Sequence, residues 1–327
     1  FFQAEDVIRD SVASRGLGDV YKRQGLEAAG LEDAIVRQEP VIASEEDLLR
    51  CHPADHLATL AELDFLGGGR VDADTAMSRG AWLAARLAAG AGIEAVAALR
   101  AGAAHVAFCA VRPPGHHATP RQSMGFCLVN NVAVTAASLV DAGERVAIVD
   151  IDAHHGNGTQ DAFYDDSRVL FVSFHQWPLY PGTGAEEDVG TGEGFGSTIN
   201  LAMPAGAAGN SYRYGFDRVV IPAIERFGPS WLLVSAGFDA HRADPLTDLG
   251  LTSGDYADLT TSLVGLVPRG RCVLFLEGGY DLDALANSSG ASIAAAVGVQ
   301  HRPESASGEG PGSEVVDRTV ERHGLDG

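Results

Sequence analysis

Arg145-Val146-Ala147-Ile148-Val149-Asp150-Ile151-Asp152-Ala153-His154-His155 decides the reading of this chain. Its first half is short, apolar and β-branched, the pattern of a strand buried on both faces. Side chains alternate along an extended backbone, so Asp150, Asp152 and His154 fall on one side where the strand runs out. Carboxylates leaving an apolar strand need a cation or hydrogen-bond donors to compensate them. An Asp/His set at this spacing is a metal-site candidate, with zinc first among the metals. In isolation such a string is a polar turn about as often as a site, but three more segments change that.

Ala107–Val111 is a second strand-like run, and Arg112-Pro113-Pro114-Gly115-His116-His117 follows it. Tandem histidines after a rigid turn suit proton transfer near neutral pH. Trp231–Ala236 is a third, leading to Gly237-Phe238-Asp239, where Asp239 would complete a ligand set. Cys272–Leu276 is a fourth, followed by Glu277-Gly278-Gly279-Tyr280. A Gly-Gly-Tyr turn can swing a phenol over a cleft to meet a developing oxyanion. Each cluster follows the carboxyl end of an apolar strand, which is where open α/β sheets bind ligands.

Around these strands the sequence predicts Ala-rich helices over Ala81–Leu99, Val132–Val140, Tyr212–Phe227, Asp255–Val267 and Ala284–Val297. They suffice to cover both faces of a sheet. The alternation continues without an internal linker across 327 residues, which favours one α/β domain of three α/β/α layers with a mostly parallel central sheet. A net charge of −21 speaks against direct nucleic-acid binding and favours cationic substrates. Cys51, Cys109, Cys127 and Cys272 lack C-x-x-C spacing and read as reduced thiols of a cytoplasmic protein. No apolar run is read as membrane-spanning, and no secretory signal is read.

Six motifs together resemble the zinc-dependent histone deacetylase family, which includes bacterial acetylpolyamine amidohydrolases and acetoin-utilisation-type proteins. They are Arg112–Ala118, Gly125–Asn131, Asp150–Gln160, Tyr180–Gly184, Ser235–Leu246 and Glu277–Asp281, and the similarity runs from about Gly25 to about Val297. Their wording is closer to the class II branch than to class I. The resemblance implies an arginase/deacetylase-like fold and an amidohydrolase removing acetyl or other acyl groups from an amine. Acetyl-lysine peptides, acetylpolyamines and small molecules all stay open as substrates.

Carried over by position, the resemblance makes Asp152, His154 and Asp239 the ligands of one Zn²⁺ per chain. Such a metal polarises the acyl carbonyl and acidifies water. His117 becomes the general base and acid, and Asp150 orients His116. Asn157 stands where class I relatives carry an Asp, so His117 should have a lower pKa than in those relatives. Tyr280 becomes the oxyanion donor, and Gly125, Phe126, Tyr180, Gly278 and Gly279 line the channel for the substrate arm. The resemblance also implies structural K⁺ sites. One uses backbone oxygens around Asp150, Asp152 and His154 with Ser173 and Phe174; a second lies near Phe163, Asp166, Val169 and Tyr212. Asp72 and Asp74 fall in a loop that contacts substrate backbone in relatives, although a turn role is the simpler reading. Homo-oligomerisation is left open. Two other readings compete: an arginase-like hydrolase with two manganese ions, and a non-catalytic acyl-binding protein.

The two ends read differently. Phe1–Gln24 resembles translated sequencing-adapter read-through and holds the only lysine, Lys22, so it is expected to be foreign. The catalytic domain is then 25–300, without the strand and loop that open it in relatives, leaving a sheet edge uncovered. His301–Gly327 is polar and rich in Gly, Ser and Glu, and is expected to be a flexible tail.

Overall fold

The apolar runs that end in polar clusters are strands lying side by side. The structure, a computed structural model, describes residues 2–3, 25–31 and 34–326. Its strands are β1 (Phe2–Gln3), β2 (Gly68–Arg70), β3 (Ala76–Ser78), β4 (Ala107–Ala110), β5 (Val146–Asp150), β6 (Val169–Gln176), β7 (Thr198–Met203), β8 (Trp231–Ala236) and β9 (Cys272–Leu276). Seven form one sheet in the order β1-β4-β9-β8-β5-β6-β7, every pair parallel. β2 and β3 form a separate antiparallel hairpin. Asp150 lies level with Ser173 on one side and Ser235 on the other, so the strand ends that carry the polar clusters share one edge.

Side-chain alternation divides the core into two layers. Val146 and Ile148 face the layer of Ala88, Ala91, Ala95, Val132 and Ala136. Ala147 and Val149 face the layer of Tyr212, Phe216, Tyr256, Leu259 and Leu285. Helices Ala81–Arg100 and Asn131–Asp141 cover one face; Gly209–Gly215, Ile221–Phe227, Ser253–Gly265 and Leu282–Ala296 cover the other. This is the three-layer α/β/α arrangement. The stretch expected as one helix over Tyr212–Phe227 is interrupted, because a π-helical turn at Phe216–Val220 separates its two α-helical parts.

Two expectations need correction. Helix Ala81–Arg100 is long and apolar enough to cross a membrane by length and composition. It is nonetheless built into the core: Ala88, Ala91 and Ala95 have no exposed surface, as befits a helix pressed on a sheet. The C-terminal stretch is not a flexible tail. Ser313–His323 is a helix whose Val315, Val316, Thr319 and Val320 are buried, packed against β7 and Gly209–Gly215. Before it, Glu304 and Ser307 bond to Ser253 and Asp255 at the start of helix Ser253–Gly265. The foreign-origin reading of 1–24 lies outside the described residues except for β1. There the backbone of Phe2–Gln3 pairs with Cys109 and Ala110, so the β4 edge is covered over those two residues.

Candidate active site

Four loops meet above the carboxyl ends of β4, β9, β8 and β5. From the loop after β4, His116 Nδ1 lies 2.9 Å from Asp150 Oδ2, and His117 Nδ1 lies 2.8 Å from Asn157 Oδ1. The two imidazole rings are 4.0 Å apart. From the loop after β5, His154 Nδ1 sits between Asp152 Oδ1 at 3.2 Å and Asp239 Oδ2 at 2.9 Å. Asp239 arrives from the loop after β8. Asp152, His154 and Asp239 each offer one ligand atom within 4.8 Å of the others, and all three are buried.

Backbone amides hold these carboxylates in place. Asp152 Oδ1 accepts from the His154 amide at 2.8 Å and Asp152 Oδ2 from the Gly278 amide at 2.7 Å, while Asp239 Oδ1 accepts from Ala153 at 2.8 Å. Glycine is required where the backbone passes this close. A Cβ at Gly237 would stand 2.1 Å from Asp152 Oδ2, and one at Gly278 would stand 2.3 Å from Asp239 Oδ2.

The donor set fits a divalent cation. Two buried carboxylates aimed at one imidazole nitrogen is a costly arrangement without positive charge between them. Burial alone would lower His154, but its hydrogen bonds to Asp152 and Asp239 outweigh this and push it up to about 11, so a proton is held where positive charge is wanted. Burial and the neighbouring Asp152 carboxylate push Asp239 up to about 7. One imidazole and two carboxylates would leave a zinc ion an open position, as a catalytic rather than structural site requires.

The histidine pair is electrostatically split. Burial opposes charge on His116, yet Asp150, Asp152 and Glu277 push it up to about 10. Burial and the charge of His116 hold His117 well below the usual imidazole range. One ring is therefore charged and the other neutral at pH 7.

Rings wall the approach. Tyr180 stands edge-on to His117 at 5.3 Å and to His154 at 6.4 Å, and Phe126 stands 6.3 Å from Tyr280. Phe126 and Tyr180 are exposed, and Phe126 has a φ of 66°, uncommon for a bulky residue. Against this geometry, the histone deacetylase domain profile matches residues 20–296.

The chain belongs to the histone deacetylase family.

A probable deacetylase of Archaeoglobus fulgidus is 42% identical over 81% of this chain and 75% of that protein. A histone deacetylase-like amidohydrolase of Pseudomonas aeruginosa is 40% identical over 78% of this chain and 69% of its own length. Histone deacetylase 14, chloroplastic, of Arabidopsis thaliana is 43% identical over 65% of this chain, and the match spans about half of that relative, 52%. The crystal structure of the HDA15 HD domain superposes with a TM-score of 0.84 at 32% identity, covering 96% of this chain and 89% of that one. The protein is a hydrolytic deacetylase with the arginase/deacetylase-like fold.

The deacetylase fold brings together His116, His117, Asp150, Asn157, Asp152, His154, Asp239, Gly278 and Tyr280, with Gly125, Phe126 and Tyr180 beside them. Gly279 adopts a φ of 137° between Gly278 and Tyr280. Ser173 lies level with Asp150, and its hydroxyl pairs with His175 Nδ1 at 3.0 Å. The second cation group is not assembled as expected. Phe163 and Val169 pack in one layer of the core, whereas Tyr212 packs in the other, stacked 4.9 Å from Phe174. The Asp166 amide bonds back to the Phe163 carbonyl and the Val169 amide to the Asp166 carbonyl, so these three residues form a turn without Tyr212.

Several further residues support the site of the deacetylase. Glu277 Oε2 accepts from the amides of Gly115 and His116 at 2.7 and 3.2 Å, fastening the loop that bears the histidine pair. Asp72 does serve a turn, accepting from the amides of Asp74 and Thr75. Asp74 and Thr75 also accept from the Gly125 and Phe126 amides at 3.3 and 3.0 Å, so the β2–β3 hairpin steadies the turn that carries Phe126. On the other wall, Thr183 meets His155 Nδ1 at 2.8 Å, and the Gly184 carbonyl accepts from His175 Nε2 at 2.9 Å. Strand-end position was the one available signal for Glu277; the turn role of Asp72 follows from its own neighbours, whereas Asp74, Thr75 and Thr183 depend on partners distant in sequence.

Proposed function

We propose that this deacetylase is a zinc-dependent amidohydrolase that cleaves an acetyl group from a primary amine borne on a narrow, unbranched arm. The observation that carries this reading is the convergence of a three-residue ligand set, a charged–neutral histidine pair and a tyrosine beneath one aromatic-walled opening. Asp152, His154 and Asp239 would hold the ion. When bound, zinc supplies Lewis acidity to the acyl carbonyl and to an attacking water.

The protein's own groups do the rest. Asn157 Nδ2 donates to the His117 carbonyl at 3.3 Å, which turns Oδ1 toward the ring. His117 then carries its proton on Nδ1, and Nε2 has a free lone pair. A neutral imidazole so oriented can take a proton from water and return it to the departing nitrogen. His116, kept protonated by Asp150, places positive charge beside the group that becomes an oxyanion. Burial pushes the Tyr280 phenol up, so it stays protonated and can donate to that oxygen. Tyr280→Phe should lower kcat by about 10²–10³ with little change in KM. Wild-type turnover in that variant would overturn the assignment.

Cationic amines are the favoured substrate class. The net charge of −21 and the carboxylates Asp72 and Asp74 beside the Phe126 wall support this. An acetylated polyamine should be turned over at higher kcat/KM than a neutral acetyl-lysine peptide, and its KM should rise with salt. Equal efficiency with no salt dependence would instead point to acetyl-lysine selected by channel shape.

A further inference from the structure

Tyr280 follows two glycines, so its side chain sits at the end of a backbone segment with little stiffness of its own. Gly278 is fixed on both polar groups: its amide donates to Asp152 Oδ2 at 2.7 Å, and its carbonyl accepts from the Phe238 amide at 2.8 Å. Gly279 then takes a φ of 137°. Beyond Tyr280, Asp281 caps helix Leu282–Ala296, accepting from the Ala284 amide at 2.8 Å. At Tyr280 itself the amide donates to Asp244 Oδ2 at 2.7 Å.

Asp244 comes from a different loop, the one that follows Asp239. Its other oxygen, Oδ1, accepts from the Leu246 amide at 3.0 Å, and only 6% of the residue is exposed. One buried carboxylate therefore joins the loop after β8 to the loop after β9, at the residue whose phenol must reach the reacting oxygen. We infer that Asp244 is a positioning residue for the deacylation reaction, holding Tyr280 turned into the site. The inference rests on the proposed role of Tyr280 as oxyanion donor.

Asn is the informative replacement because it keeps the size and one acceptor. Its NH₂ must face one of the two amides, opposing donor to donor and breaking one of the bonds. The test is a double-mutant cycle on the zinc-loaded enzyme: wild type, Asp244→Asn, Tyr280→Phe and the pair. Asp244→Asn should lower kcat by about 10- to 100-fold while KM changes by less than about 3-fold. In the Tyr280→Phe background it should change kcat by less than about 2-fold, since no hydroxyl remains to misplace. Zinc content and melting temperature are measured on all four proteins. Equal losses in both backgrounds, or no loss in either, would overturn the positioning role. An unaffected Tyr280→Phe single variant would count against the mechanism instead, so the two failures are distinguishable. Should Asp244→Asn not fold, Asp244→Ser carries the same cycle with a smaller acceptor.

Discussion

Asn157 orients the neutral member of the histidine pair through an uncharged oxygen, 2.8 Å from His117 Nδ1. A carboxylate there would favour the imidazolium and raise the pKa of His117. Activity that needs neutral His117 is lost as pH falls through that pKa. Asn157→Asp should therefore move the acidic limb of the kcat/KM profile to higher pH, as measured on one substrate across the acid range. An unmoved limb would remove His117 as the group being titrated. At this scale the sequence was informative wherever a residue's chemistry follows from its own neighbours. Asp150, Asp152 and His154 share one strand end and could be grouped by alternation alone. Glu277 and Asp244 could not be given roles that way, because each accepts from amides of a loop far along the chain.

Among the elements, the apolar parallel strands were the plainest to read, since burial on both faces leaves a continuous run of Val, Ile, Leu and Phe. Helix Ser313–His323 was hidden for the opposite reason. Its buried stripe is Val315, Val316, Thr319 and Val320, set among Glu314, Asp317, Arg318, Glu321 and Arg322. Composition averaged over such a segment reads as a solvated tail, whereas the spacing of its apolar positions is helical. The helix is also tied to the loop after Gly184, where Arg318 and Arg322 pair with Glu186 and Glu187. Val316 has no exposed surface, so Val316→Ala removes about two buried methylene equivalents. The expected cost is about 2 kcal/mol, read as a lower urea midpoint at unchanged slope. A midpoint equal to wild type would show that the helix contributes little to the folded domain. The opposite placement of Tyr212 and Phe163 was not legible because sequence spacing does not say which face of a sheet a helix covers.

Over the whole molecule, the segment that leads into that helix is stapled to the loop after β8 by a charge network. Glu304 lies 2.7 Å from His241 Nε2 and 2.6 Å from Arg242, and accepts from the Ser253 amide at 3.1 Å. Burial works against its charge, but these partners hold it down at about 2, below the ordinary 4.5. A depressed carboxyl contributes stability that is present above the ordinary value and is lost as pH falls toward the folded one. The difference in melting temperature between wild type and Glu304→Gln should therefore shrink as pH is lowered from about 5 to about 3. A constant difference across that window would show that Glu304 acts through packing instead of charge.

In the proposed mechanism, deacylation depends on one divalent ion gathered by Asp152, His154 and Asp239. Elemental analysis of the purified protein, paired with an Asp239→Asn variant, shows whether it does. One zinc per chain in the wild type, with metal and turnover lost together in the variant, is the expected result. Two manganese ions per chain, or full activity in a protein stripped of metal, would contradict it.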